Sequence, residues 1–142
     1  MSTTDYTATF TVDQSPDQVY AVINDVRRWW TGDITGDSAQ VGDEFTYRYE
    51  DIHRSTQRVT ELVPGQRVVW HVTDGYQNFT ADPGEWTGTD LAFDITGEDG
   101  QTQVRFTHVG LRPDVECYTS CSNAWGFYVN ASLRQAIESV TV

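Results

Sequence analysis

Residues 101–140 read QTQVRFTHVGLRPDVECYTSCSNAWGFYVNASLRQAIESV, and the hydrophobic period changes within them. Val104, Phe106 and His108 alternate with polar neighbours, the two-residue period of a half-buried strand. After Gly110 and Pro113 the period lengthens. Cys121, Trp125, Tyr128, Val129, Ser132, Leu133, Ala136, Ile137 and Val140 recur at helical spacing, which predicts a long amphipathic helix at the C-terminus.

Upstream of this switch the chain reads mostly as strand. Leu91, Phe93 and Ile95 share one face, and Glu98-Asp99-Gly100 is a turn that joins them as a hairpin to Thr102–Val109. Arg67–Asp74 places Val68, Trp70 and Val72 on one face. His53–Val63 is a more polar strand closed by Pro64-Gly65, and Phe45, Tyr47 and Tyr49 alternate before it. Residues Thr31–Gly42 are rich in Gly and Asp and read as a loop. At the start, Tyr6–Val12 alternates as a strand. Ser15-Pro16 then opens a short helix, with Gln18 placed to complete a capping box. A run of strands followed by one long helix predicts an α+β domain with the helix packed on one sheet face. No linker or repeat divides residues 1–142, so a single domain is expected.

Composition narrows the function. The net charge of −12 and pI near 4.3 oppose a nucleic-acid partner and an anionic membrane surface. All nine basic residues are Arg, so lysine Schiff-base chemistry and a P-loop lysine are excluded. No signal-peptide pattern and no apolar run of roughly 20 residues is present, which predicts a cytoplasmic protein without a membrane span. Cys117 and Cys121 are too few for a disulfide framework. Aromatic residues make up 13% of the chain, enough to furnish a large core, a cavity wall, or both.

Several stretches together carry a resemblance. They are Phe10-Thr11-Val12-Asp13 with Ser15-Pro16, Trp29-Trp30, Glu61-Leu62-Val63-Pro64-Gly65, and Val69-Trp70-His71-Val72. Glu85-Trp86-Thr87-Gly88-Thr89, Phe106-Thr107-His108-Val109-Gly110-Leu111, and Glu116-Cys117-Tyr118 with Cys121-Ser122 and Trp125 complete the set. As a group they resemble the bacterial single-domain branch of the family named after the activator of heat-shock-protein-90 ATPase, within the START-like, polyketide-cyclase-related superfamily. The resemblance covers essentially the whole chain. It implies a helix-grip fold, in which a curved antiparallel sheet of about six or seven strands wraps around the long C-terminal helix and leaves room for an apolar ligand. The superfamily includes lipid and hormone carriers, aromatase/cyclases and co-chaperone domains, and one fold hosts many functions.

The candidate site follows from phase. Trp70, Phe93 and Phe106 take inward strand positions, and Trp125 and Tyr128 come from the long helix. These aromatics are either the wall of a ligand pocket or a filled core. His108 continues the Val104–Phe106 face. It is expected either to orient a ligand, to act as an acid/base, or to be a core histidine bonded to a backbone carbonyl. Cys117 and Cys121 with His108, and Glu116, His71 or water as a fourth ligand, form a weak zinc candidate without the paired-knuckle spacing; no metal and no cofactor are expected. Glu61 and Glu85 are candidates for a cavity mouth, and Trp29 and Trp30 for core packing or an entrance. The leading expectation is a protein that binds a small apolar or aromatic molecule and is not an enzyme. A cyclase- or dehydratase-type enzyme using His108 and a chaperone-interacting module are the alternatives.

Overall fold

The computed structural model describes residues 5–29, 33–38, 40–49, 53–77, 87–111, 122–123 and 125–140. Trp30, Glu85, Trp86, Glu116, Cys117, Tyr118 and Cys121 lie outside these, and with them the cysteine-based metal candidate.

Strand β1 (Tyr6–Val12) is followed by helix α1 (Pro16–Asn24) and a short 3₁₀ turn, Val26–Arg28. The strands β2 (Asp33–Gly36), β3 (Glu44–Tyr49), β4 (His53–Val63), β5 (Arg67–Gln77), β6 (Asp90–Glu98) and β7 (Gln101–Val109) come next. The C-terminal helix α2 is π-helical over Gly126–Leu133 and α-helical over Arg134–Glu138. The seven strands among the described residues form one curved antiparallel sheet in the order β1-β7-β6-β5-β4-β3-β2. This is the α+β helix-grip arrangement expected from the sequence.

Local chemistry accounts for most boundaries. The Ser15 hydroxyl accepts from the Gln18 amide at 3.2 Å, and Gln18 Oε1 accepts from the Ser15 amide at 2.9 Å, so α1 begins with a complete capping box. Asp99 and Gly100 both take positive φ, 51° and 79°, and join β6 to β7 in the tight turn that matches strand twist. Strand β2 falls within the stretch read as loop. It has four residues, lies at the sheet edge and ends at Gly36 (φ 95°), too short and too exposed for an alternation to register.

The other difference lies in α2. Its buried side chains, Trp125, Val129, Leu133 and Ile137, recur every fourth residue. In an α-helix four steps overshoot one turn by about 40°. A π turn is wider, so an i→i+5 segment joined to an α segment keeps this row facing the sheet. At the far end, Gln14 Nε2 donates to Val140 O (2.9 Å) and Glu138 O (3.3 Å), tying the helix C-terminus to the segment after β1. Inside, Val12, Val22, Ile23, Val68, Phe93, Ile95, Val104 and Leu133 belong to one continuous core. The outer sheet face carries the ion pairs Arg58–Glu44, Arg54–Asp74 and Arg67 with Glu61 and Asp94.

Candidate ligand site

The inward faces of β5, β6 and β7 bring Trp70, Phe93 and Phe106 side by side, all fully buried. Ring centroids lie 5.1 Å apart for Trp70–Phe93, 5.0 Å for Phe93–Phe106 and 4.6 Å for Phe106–Trp125. Trp125 reaches them from the residue that opens α2. Phe45 from β3 and Trp29 extend the cluster on the Trp70 side, and Trp29 Nε1 donates to Ile23 O. Aromatic pairs at these distances add about 0.5–1.5 kcal/mol each beyond area burial. Of the two tryptophans considered for an entrance, Trp29 is therefore core. Of the two carboxylates considered for a mouth, Glu61 is exposed and pairs with Arg67.

His108 is fully buried at the end of this cluster. The Trp125 indole N–H donates to its Nδ1 at 3.0 Å. With that lone pair occupied, Nε2 carries the ring proton and donates to Thr89 Oγ1 at 2.9 Å. Among the described residues the ring's hydrogen-bond partners are thus the two side chains of Trp125 and Thr89. Burial, reinforced by His53, pushes the His108 pKa down to about 3 against an opposing pull from Asp5. At neutral pH the imidazole is uncharged, and both ring nitrogens are engaged.

Tyr128 stands apart from this group. Its hydroxyl meets that of Tyr47 on β3 at 2.8 Å, so α2 touches the sheet again on the β3 side. Next to it lies a set of residues that sequence reasoning passed over. On β4, His53, Ser55, Gln57 and Val59 share the inward face. Ser55 and Gln57 are fully buried, and His53 packs near Tyr47 at 5.7 Å between ring centroids. Burial lowers the His53 pKa to about 4, so this ring is neutral as well. The signal was present in the sequence: three polar residues in phase with a buried valine, in the strand read simply as polar.

Gln57 Nε2 donates to the Ser55 hydroxyl, whereas Gln57 Oε1 is buried and has no hydrogen-bond partner among the described residues. Strand β5 is irregular here. Thr56 pairs with Asp74 and Gln57 with Val72, so Thr73 is the extra residue of a bulge. The bulge sets Gly75 opposite Ser55, and β5 brings no side chain to that point. Among the described residues no group of three or more His, Cys, Asp or Glu side chains could hold a metal ion.

A family model described as activator of Hsp90 ATPase homolog 1-like protein matches residues 13–138. The chain belongs to this family. Among solved structures, the Aha1 dimer from Colwellia psychrerythraea is similar over 95% of this chain and 96% of that one, with 26% identity and a TM-score of 0.76. DynU16, from the dynemicin biosynthetic locus, shares the fold at 15% identity and a TM-score of 0.72, covering 94% of this chain and 46% of its own. CalU16 from Micromonospora echinospora does so at 14% identity and 0.66, covering 94% of this chain and 75% of its own. No curated protein matches by sequence. This member of the Hsp90 ATPase activator-like family shares its fold with both of these solved structures. No helix among its described residues is long and apolar enough to cross a membrane.

Proposed function

We propose that this family member binds a small apolar or aromatic molecule between the concave face of the sheet and α2. Trp70, Phe93, Phe106 and Trp125 form the apolar floor, His108 is a fixed polar element at its end, and Tyr128 closes the β3 side. The observation that carries this reading is the full burial of Ser55, Gln57 and His108 on the concave face. A core that served packing alone would be more stable with apolar side chains there, since polar groups lose hydration on burial. Binding sites, in contrast, combine apolar walls with a few placed polar groups.

The locked imidazole favours binding over acid/base chemistry. A general base needs a lone pair facing its substrate, and the Nδ1 lone pair of His108 already accepts from Trp125.

The test is an amide NMR titration with a panel of flat aromatic, fatty-acid and polyketide-like compounds. We expect localised shifts around Trp70, His108 and Trp125 with at least one compound. A Trp125→Ala variant, shown by urea unfolding to be folded, should bind that compound at least tenfold more weakly. Equal affinity in the folded variant would remove Trp125 from the site, and an absence of shifts with every compound would turn attention to a protein partner such as an Hsp90-type chaperone.

A further inference from the structure

The polar row on β4 says more about the ligand than the aromatic floor does. Gln14 also has a buried carbonyl oxygen without a partner among the described residues, but its Nε2 grips the end of α2. Among the described residues Gln57 joins no two elements: its side chain bonds to Ser55, two residues away on the same strand, and its carbonyl oxygen is buried without a hydrogen-bond partner. Leaving a buried acceptor unsatisfied is a standing cost, and such atoms call for an explanation. The surroundings are shaped as well. Phe45 and Val72 are the cross-strand neighbours of Gln57, the Thr73 bulge lies beside it, and Gly75 adds no side chain opposite Ser55. A strand glycine often accompanies a bulge or leaves room for a ligand or another backbone.

We infer that Gln57 Oε1 is the acceptor for a hydrogen-bond donor on the ligand, and that the ligand is a neutral apolar molecule whose polar end is a hydroxyl or an amide N–H. This rests on the ligand-binding reading above and specifies its chemistry.

Charge supports the neutral class. The described arginines, Arg27, Arg28, Arg48, Arg54, Arg58, Arg67, Arg105 and Arg134, are exposed or partly exposed, and none is part of the buried interior. Both interior histidines, His53 and His108, are uncharged at neutral pH. A carboxylate would meet no buried cation among the described residues, and would approach a surface of net charge −12. A hydroxyl donor needs only the waiting carbonyl.

The experiment uses three naphthalene probes with one body and different polar ends: naphthol, methoxynaphthalene and naphthoate. Dissociation constants are measured by NMR for the wild type, for Gln57→Met, and for the double variant Ser55→Ala/Gln57→Met, which also removes the hydroxyl that Gln57 contacts. In the wild type, naphthol should bind about tenfold more tightly than methoxynaphthalene, the worth of one buried hydrogen bond, and naphthoate should bind more weakly than naphthol. Both variants should lose the preference for naphthol over methoxynaphthalene. Their melting temperatures should equal or exceed that of the wild type, because no interaction between elements is lost. A residue with a merely structural role would lower them. Equal affinities for naphthol and methoxynaphthalene in the wild type, or a preference retained in the variants, would overturn the role of Gln57 while leaving ligand binding standing. Tighter binding of methoxynaphthalene would show that the amide presents its N–H instead, and would overturn the donor class. Failure of all three probes in the wild type would overturn both readings.

Discussion

At the scale of single residues, the interior is governed by whether each buried polar atom has a partner. His108 is satisfied on both ring nitrogens, and this has a pH consequence. Its folded pKa, about 3, lies below the ordinary value of 6.5. The unfolded chain therefore takes up a proton on this ring below pH 6.5 while the folded chain does not. The stabilising contribution is complete above 6.5 and is lost as pH falls toward 3, at about 1.4 kcal/mol per pH unit. Between pH 7 and pH 5 the wild type should lose about 2 kcal/mol more stability in urea unfolding than His108→Gln does. An equal loss in the two proteins would mean that the ring is protonated in the fold. The burial of His108 was readable from its phase with Val104 and Phe106. Its partners were not: Thr89 lies 19 residues upstream and Trp125 17 residues downstream, and no local pattern links them. Gln57 was less legible still, because an orphaned acceptor is defined by what does not surround it.

At the scale of elements, capping and turn chemistry act within a few residues and were legible. Ser15, Pro16 and Gln18 predicted the start of α1, and Asp99-Gly100 the turn of the last hairpin, because each needs only its immediate neighbours. Ser15→Ala removes the acceptor for the Gln18 amide and should cost about 1 kcal/mol in chemical denaturation. A change below about 0.3 kcal/mol would show that the first turn is held by its contacts with the sheet instead. Where tertiary packing decides, the sequence was less informative. Helical spacing in the C-terminal residues was plain, yet the choice between α and π turns depends on keeping Trp125, Val129, Leu133 and Ile137 aimed at a sheet the sequence does not display. Edge strand β2 is likewise defined by its pairing with β3 more than by its own four residues.

At the scale of the whole molecule, the strand order places β1 beside β7, so the first and last strands of the sheet meet. Tyr6 accordingly pairs with His108, and its amide donates to Leu111 O. The helix-grip arrangement could be anticipated from a β-to-α switch in period, since periodicity reports which face of each element is buried. What that face holds depends on the three-dimensional meeting of strands far apart in sequence. The aromatic floor gathers from β5, β6, β7 and the start of α2, while the polar row stands on β4 beneath the Tyr47–Tyr128 contact. A net charge of −12 repels anions before any contact is made.

The most direct test of the central claim is to locate a bound probe. Intermolecular NOEs between naphthol and the protein should connect its ring protons to side chains of Phe45, Val72 and Tyr128, on the concave face beneath α2. NOEs confined to the outer face of the sheet, around Arg54, Arg58 and Thr60, would contradict the account, and so would a complex in which no concave-face proton is near the probe.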